Sequence, residues 1–152
     1  MSLGWSDLTA EGKKYFEELE KLAKLEVRVG FQEGVMTADG EASLAEIAAY
    51  NELGTSNIPA RPFMKQSFEN HQGELQKACD QVNTALANGG TAGEALQPLG
   101  VYLKGLVQDE ILEGGFKPNA ASTIKKKGSA TPLIDTGHMR QSVNYEIKER
   151  SE

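Results

Sequence analysis

The 152-residue sequence predicts an α+β fold, a small and mainly antiparallel sheet packed against three to four helices, and three observations carry that expectation. Apolar residues recur at helical spacing over 8–23, then alternate singly with polar residues just downstream and again near the C-terminus. Between those two alternating stretches lie two long segments with one apolar face each, separated by Asn88-Gly89-Gly90. Helices segregated on one face of a few antiparallel strands are the simplest way to bury such a pattern.

The elements follow in order. Leu8, Tyr15, Phe16, Leu19, Leu22 and Ala23, with Glu and Lys between them, have the spacing of a one-sided helix. The period then becomes two: Leu25, Val27, Val29 and Phe31 alternate with Glu26, Arg28, Gly30 and Gln32, so one face of a strand is buried. Residues 33–42 are rich in Gly and small polar residues and read as a loop or loose hairpin tip. Ser43 and Glu46 form a capping-box pattern that starts a short helix through about Tyr50. Gly54 suits its C-terminal cap, because glycine accepts a left-handed conformation without a Cβ clash.

The stretch 55–61 is extended and limited by Pro59, and Pro62 then stands in the first turn of a longer helix, where its missing N–H costs little. Met64, Phe68, Leu75, Cys79, Val82 and Leu86 continue one face of that helix up to Asn88-Gly89-Gly90. Thr91 and Glu94 make a second capping box, and Leu96, Leu99, Leu103, Leu106, Val107 and Ile111 mark the next helix, with Pro98 as a kink point. Two long helices joined by a short Gly-containing turn pack antiparallel and supply most of the core. From 116 to 131 the chain is polar, has no periodic apolar face and reads as a long exposed loop, a candidate contact surface. Asp135 or Thr136 caps a short helical turn containing Met139, and Val143, Tyr145 and Ile147 alternate as a closing strand.

The length, with 39% apolar and 25% charged residues, suits one domain over 1–152 with flexible ends at 1–7 and 149–152. A formal charge of -6, from 22 acidic and 16 basic residues, disfavours general attraction to a polyanion. The single cysteine, Cys79, offers no internal disulfide or Cys-rich zinc site and fits a reducing compartment. No run approaches a membrane span or a secretory signal, so neither a membrane nor secretion is expected.

Catalytic patterns are thin. Asp135-Thr136-Gly137 after Leu133-Ile134 has the form of an aspartic-protease motif, but only 15 residues follow Gly137, too few for the strands that would complete such a site. A cap and tight turn is the better reading of those residues. His71 and His138 lack a second His or Cys at metal-ligand spacing, and there is no Gly-x-Ser-x-Gly turn, Walker loop or Gly-x-Gly-x-x-Gly. No catalytic residue, metal or cofactor is therefore expected. The run Lys125-Lys126-Lys127, with Arg140 nearby, is the one place suited to DNA phosphates, although short charge runs usually form solvated surface. Arg61-Pro62-Phe63 joins a planar cation to an aromatic: Phe63 suits core packing, while the Arg61 fork needs a carboxylate or carbonyl, from Glu52 or from a neighbouring subunit.

Three stretches taken together carry a family resemblance. They are Val29-Gly30-Phe31 with Leu44 to Thr55; Asn51 to Phe63, the most specific; and Ser122-Thr123-Ile124-Lys125, Lys127-Gly128, Pro132 to Gly137, Met139 and Ser142. In this combination the chain resembles the phage virion morphogenesis proteins related to the neck protein of phage HK97 and the tail-completion proteins of long-tailed phages. The resemblance spans most of 27–147. It implies a noncatalytic virion protein at the head-tail junction that assembles with itself as a ring, commonly hexameric, and contacts other neck and tail proteins. On that basis Asn51, Glu52, Pro59, Arg61, Phe63, Thr123, Lys125, Lys127, Asp135, Thr136 and Met139 are the candidate interface residues. Two other classes stay open: a DNA-contacting channel protein using Lys125 to Lys127, and, more remotely, a hydrolase using Asp135.

Overall fold

The computed structural model describes residues 4–36, 40, 42–57, 59–113 and 138–151. The fold is α+β, as predicted: six helices and a two-stranded antiparallel sheet among the described residues. The helices are α1 (Ala10–Ala23), α2 (Leu44–Leu53), α3 (Phe63–Glu69), α4 (Gln72–Ala87), α5 (Ala92–Glu113) and α6 (His138–Gln141). The strands are β1 (Leu25–Phe31) and β2 (Val143–Glu149), and a 3-10 turn at Trp5–Asp7 precedes α1. Their register follows from the Arg150 N–H, which donates to the Lys24 carbonyl at 2.8 Å. The chain gathers into two compact units, Met1–Arg28 with Gly73–Tyr102 and Glu146–Glu152, and Val29–Gln72 with Leu103–Tyr145.

In the first unit, the Thr9 hydroxyl accepts the Gly12 N–H at 3.0 Å and so fixes the start of α1. Tyr15, Leu19 and Leu22 of α1 pack with Leu25 and Val27 of β1, Ile147 of β2 and the α4–α5 residues Val82, Leu86, Ala95, Leu96 and Leu99. The expected antiparallel pair is thus realised by α4 and the part of α5 at 92–102. Gly89 turns the chain between them at φ 96°, and the Gly90 N–H closes the end of α4 on the Ala85 carbonyl at 2.9 Å. A Cβ on Gly90 would lie 2.9 Å from that same oxygen, so glycine is favoured there by contact, as it is at 89 by conformation.

Two details of α1 depart from the sequence reading. Phe16 and Ala23 are exposed, because the buried face runs through Tyr15, Glu18, Leu19 and Leu22 instead. Glu18 is buried at 5% exposure, and its carboxylate accepts the Ala92 N–H at 2.7 Å while holding Lys21 at 3.1 Å. The α5 N-terminus therefore has a carboxylate from α1 beside its first free N–H, where the helix dipole favours negative charge. That backbone hydrogen bond, followed by the Lys21 contact, holds the Glu18 carboxyl below the usual carboxylate range.

In the second unit, Ser43 caps α2 by accepting the Glu46 N–H at 3.1 Å. The two ends of the preceding segment are joined by an isolated bridge between Met36 and Ser43 and by a bond from the Leu44 N–H to the Val35 carbonyl at 2.8 Å. Ala48, Phe63, Val107, Ile111, Met139 and Val143 form the core, with Val29, Phe31, Ile47 and Met64 against it. Phe31 meets the edge of Phe63 at a centroid distance of 6.1 Å.

The long helix expected from Pro62 to Leu86 is corrected: it is two helices, broken at Asn70 and His71. The His71 Nδ1 lies 2.9 Å from the Ser67 carbonyl, the acceptor that a continuous helix would offer to the His71 N–H, and that N–H turns to the Phe68 carbonyl at 3.5 Å instead. Gly73 follows in the first turn of α4 and favours the break further. This division, together with the short turn at His138–Gln141 counted as α6, brings the number to six against the three to four expected.

Candidate functional site

The most specific stretch of the sequence, Asn51 to Phe63, lies wholly in the second unit and is built as a clamp. Asn51 makes three bonds. Its carbonyl accepts the Arg61 N–H at 2.6 Å, its Oδ1 accepts from Arg61 Nη1 at 3.3 Å, and its Nδ2 donates to the Ile47 carbonyl at 2.9 Å. Glu52, next along the same helix end, reaches forward 12 residues: its carboxylate accepts the Met64 N–H at 2.9 Å and the Lys65 N–H at 3.1 Å. These are the orphan donors of the α3 N-terminus, so Glu52 serves as a cap supplied from another helix.

Pro62 lies between the two halves of the clamp at φ -77° and ψ 65°, and the Phe63 N–H bonds the Arg61 carbonyl at 2.8 Å. That is an inverse γ-turn, for which the proline ring presets φ. Gly54 closes α2 at φ 77° and ψ 163°, a conformation glycine alone adopts readily. A Cβ there would lie 2.9 Å from the Ala60 nitrogen, so the two ends of the 54–60 loop are in backbone contact. Thr55, Ser56, Asn57, Pro59 and Ala60 are exposed on it, with Thr55 Oγ1 accepting the Asn57 N–H at 3.2 Å.

The predicted partner of Arg61 is therefore corrected. Glu52 is committed to the α3 N-terminus, and Arg61 bonds Asn51 instead. Arg61 is buried at 8% exposure and its Nε has no partner among the described residues; burial pulls its pKa down. Its guanidinium is consequently an internal strut of the loop, not a surface anchor. Phe63 and Met139, also candidates for contact, come together in the core at 1% and 2% exposure and act there as packing residues. Pro59 is exposed, and Asn51 and Glu52 are partly so. Thr123, Lys125, Lys127, Asp135 and Thr136 lie outside the described residues, as do the long polar stretch at 116–131, the Asp-Thr-Gly motif and the lysine run.

Sequence reasoning passed over the residues that flank this clamp. Leu53 is 78% exposed and Tyr50 51% exposed, one turn apart on the outer side of α2. The signal was present in the composition of α2, which is apolar around most of its circumference; such a helix normally has cover on every side.

Among the described residues, no group of three or more His, Cys, Asp or Glu is placed to hold a metal ion, and no helix is long and apolar enough to cross a membrane. Comparison with family models, with curated proteins and with solved structures gives no match to this chain.

Proposed function

We propose that this chain is a structural, noncatalytic component of a tailed bacteriophage or prophage, a tail-completion or head-tail joining protein that works in the virion neck through contacts with copies of itself and with other neck and tail proteins. The observation that carries the reading is the Asn51–Phe63 clamp. The stretch with the most specific resemblance to the neck family is also one that the chain ties down through Asn51, Glu52, Gly54 and Arg61, while Leu53, Thr55, Ser56, Asn57, Pro59 and Ala60 are exposed.

A joining protein must present a surface of fixed shape, since each side chain or loop that orders only on contact subtracts from the affinity. A clamp tied down by internal hydrogen bonds, with Leu53 and the small residues Thr55, Ser56, Pro59 and Ala60 facing out, supplies that.

The test is deletion of the gene from an inducible prophage, followed by electron microscopy of the lysate. The expected result is separate filled heads and finished tails. Normal infectious particles would overturn the reading, and tails of uncontrolled length would move it to a terminator role.

A further inference from the structure

The first unit carries an open groove of ≈ 440 Å³ between α4 and α5. Its floor is made of the small and apolar residues Ala85, Ala95 and Leu99, and its rim carries Lys77, Glu74 and Tyr102. The Tyr102 hydroxyl donates to Glu74 at 3.0 Å, so this carboxylate is engaged, whereas Lys77 is exposed and has no ion pair among the described residues. In the second unit, the outer side of α2 presents Glu46, Ala49, Tyr50 and Leu53, all exposed and at helical spacing. Glu46 also has no ion pair among the described residues.

We propose that the outer face of α2 of one copy docks into the α4–α5 groove of a second copy, with Tyr50 and Leu53 over the alanine floor and Glu46 paired with Lys77. The proposal deepens the self-assembly part of the function proposed above by naming the two surfaces that meet.

Charge and spacing both favour this occupant. On an α-helix rising about 1.5 Å per residue, Glu46 and Leu53 are about 10.5 Å apart, and Lys77 and Ala85 about 12 Å apart. A helix laid parallel to α4 therefore brings Glu46 to Lys77 in the register that puts Leu53 over Ala85. The small side chains on the floor let a third helix approach closely, and the apolar pair on α2 gains the cover it lacks. Because knob and groove are different surfaces of the chain, the contact is heterologous: each copy keeps one of each free, and assembly continues until a ring closes or a filament grows.

The experiment is sedimentation equilibrium on the full chain and on variants at exposed positions, with circular dichroism to show that each folds. The expected result is that wild type self-associates, that Leu53→Asp weakens this about tenfold or more, as loss of a central contact does, and that Lys77→Glu weakens it about as much by setting a second carboxylate against Glu46. An equal mixture of the two variants should form pairs and nothing larger, because only one intact knob and one intact groove remain. Glu46→Lys combined with Lys77→Glu should recover association that each change alone removes. A wild-type chain monomeric up to about 1 mM, association indifferent to these changes, or a mixture that does not pair would each overturn the proposal. The prophage deletion separates the two claims: normal virions together with variant-sensitive oligomers would remove the neck function and leave this contact, and the reverse pattern would remove the contact alone.

Discussion

Gly54→Ala tests the clamp at its tightest point. The glycine has φ 77° and ψ 163°, in a region that other residues occupy at a cost of about 1–3 kcal/mol. An added Cβ would also sit 2.9 Å from the Ala60 nitrogen and 3.1 Å from its Cα, both backbone atoms that move only if the loop moves. Together these predict a loss of about 2–4 kcal/mol. Gly89→Ala is the matched control: its φ is 96°, but nothing lies within 4 Å of the added Cβ, so only conformational strain of about 1–2 kcal/mol applies. Urea denaturation followed by far-UV circular dichroism is the assay, since the single tryptophan, Trp5, is in the first unit and does not report on the loop. With a urea dependence of about 1–3 kcal/mol/M, Gly54→Ala should lower the midpoint by about 1–2 M. A Gly54→Ala protein no less stable than Gly89→Ala would refute the close approach of 54 to 60.

Other consequences follow from the same contacts. Arg61→Met should keep or raise stability, because a desolvated guanidinium with an unpartnered Nε is replaced by an apolar chain of similar length; Asn51→Ala should lose about 1–3 kcal/mol by leaving the buried cation without its side-chain acceptor. Glu52→Ala should cost about 1–2 kcal/mol in chemical denaturation by stripping two N–H partners from the α3 N-terminus, with Glu52→Gln between it and wild type. Glu18 is ionised more readily folded than unfolded, so its contribution is present in full above its unfolded pKa and fades as the pH falls through the depressed folded value. Urea midpoints at about pH 7 and about pH 3 should therefore differ less in Glu18→Gln than in wild type; equal differences in the two proteins would remove Glu18 from acid stability.

What the sequence revealed was local chemistry. Ser43 as an N-cap, Gly54 as a C-cap, the Gly89-Gly90 turn and a strand over Leu25 to Phe31 each depend on residues a few positions apart, and each stands where its pattern put it, although in the strand only Arg28 is exposed. The break at Asn70 and His71 escaped because Met64, Phe68 and Leu75 keep one helical period across it, while the cause is a histidine ring placed against the Ser67 carbonyl. Contacts distant in sequence were equally hidden. Nothing near Glu18 announces an acceptor for the Ala92 N–H, and nothing in Glu52 says that it bonds α3 and leaves Arg61 to Asn51. The candidate site was legible as a segment and misleading as a set of side chains. Phe63 packs in the core, as its sequence context favoured, but Arg61 looked like a charged anchor and turns inward, whereas Leu53 looked like an ordinary helix residue and turns outward.

The central claim, that the chain joins heads to tails, meets its most direct test in reconstitution. Filled heads and finished tails from a deletion lysate are mixed with the purified full-length protein, and plaque-forming titre is counted. The account predicts that titre rises with added protein and that Leu53→Asp protein fails to raise it. Heads and tails that stay apart at every concentration of the wild-type protein, or that join without it, would contradict the claim.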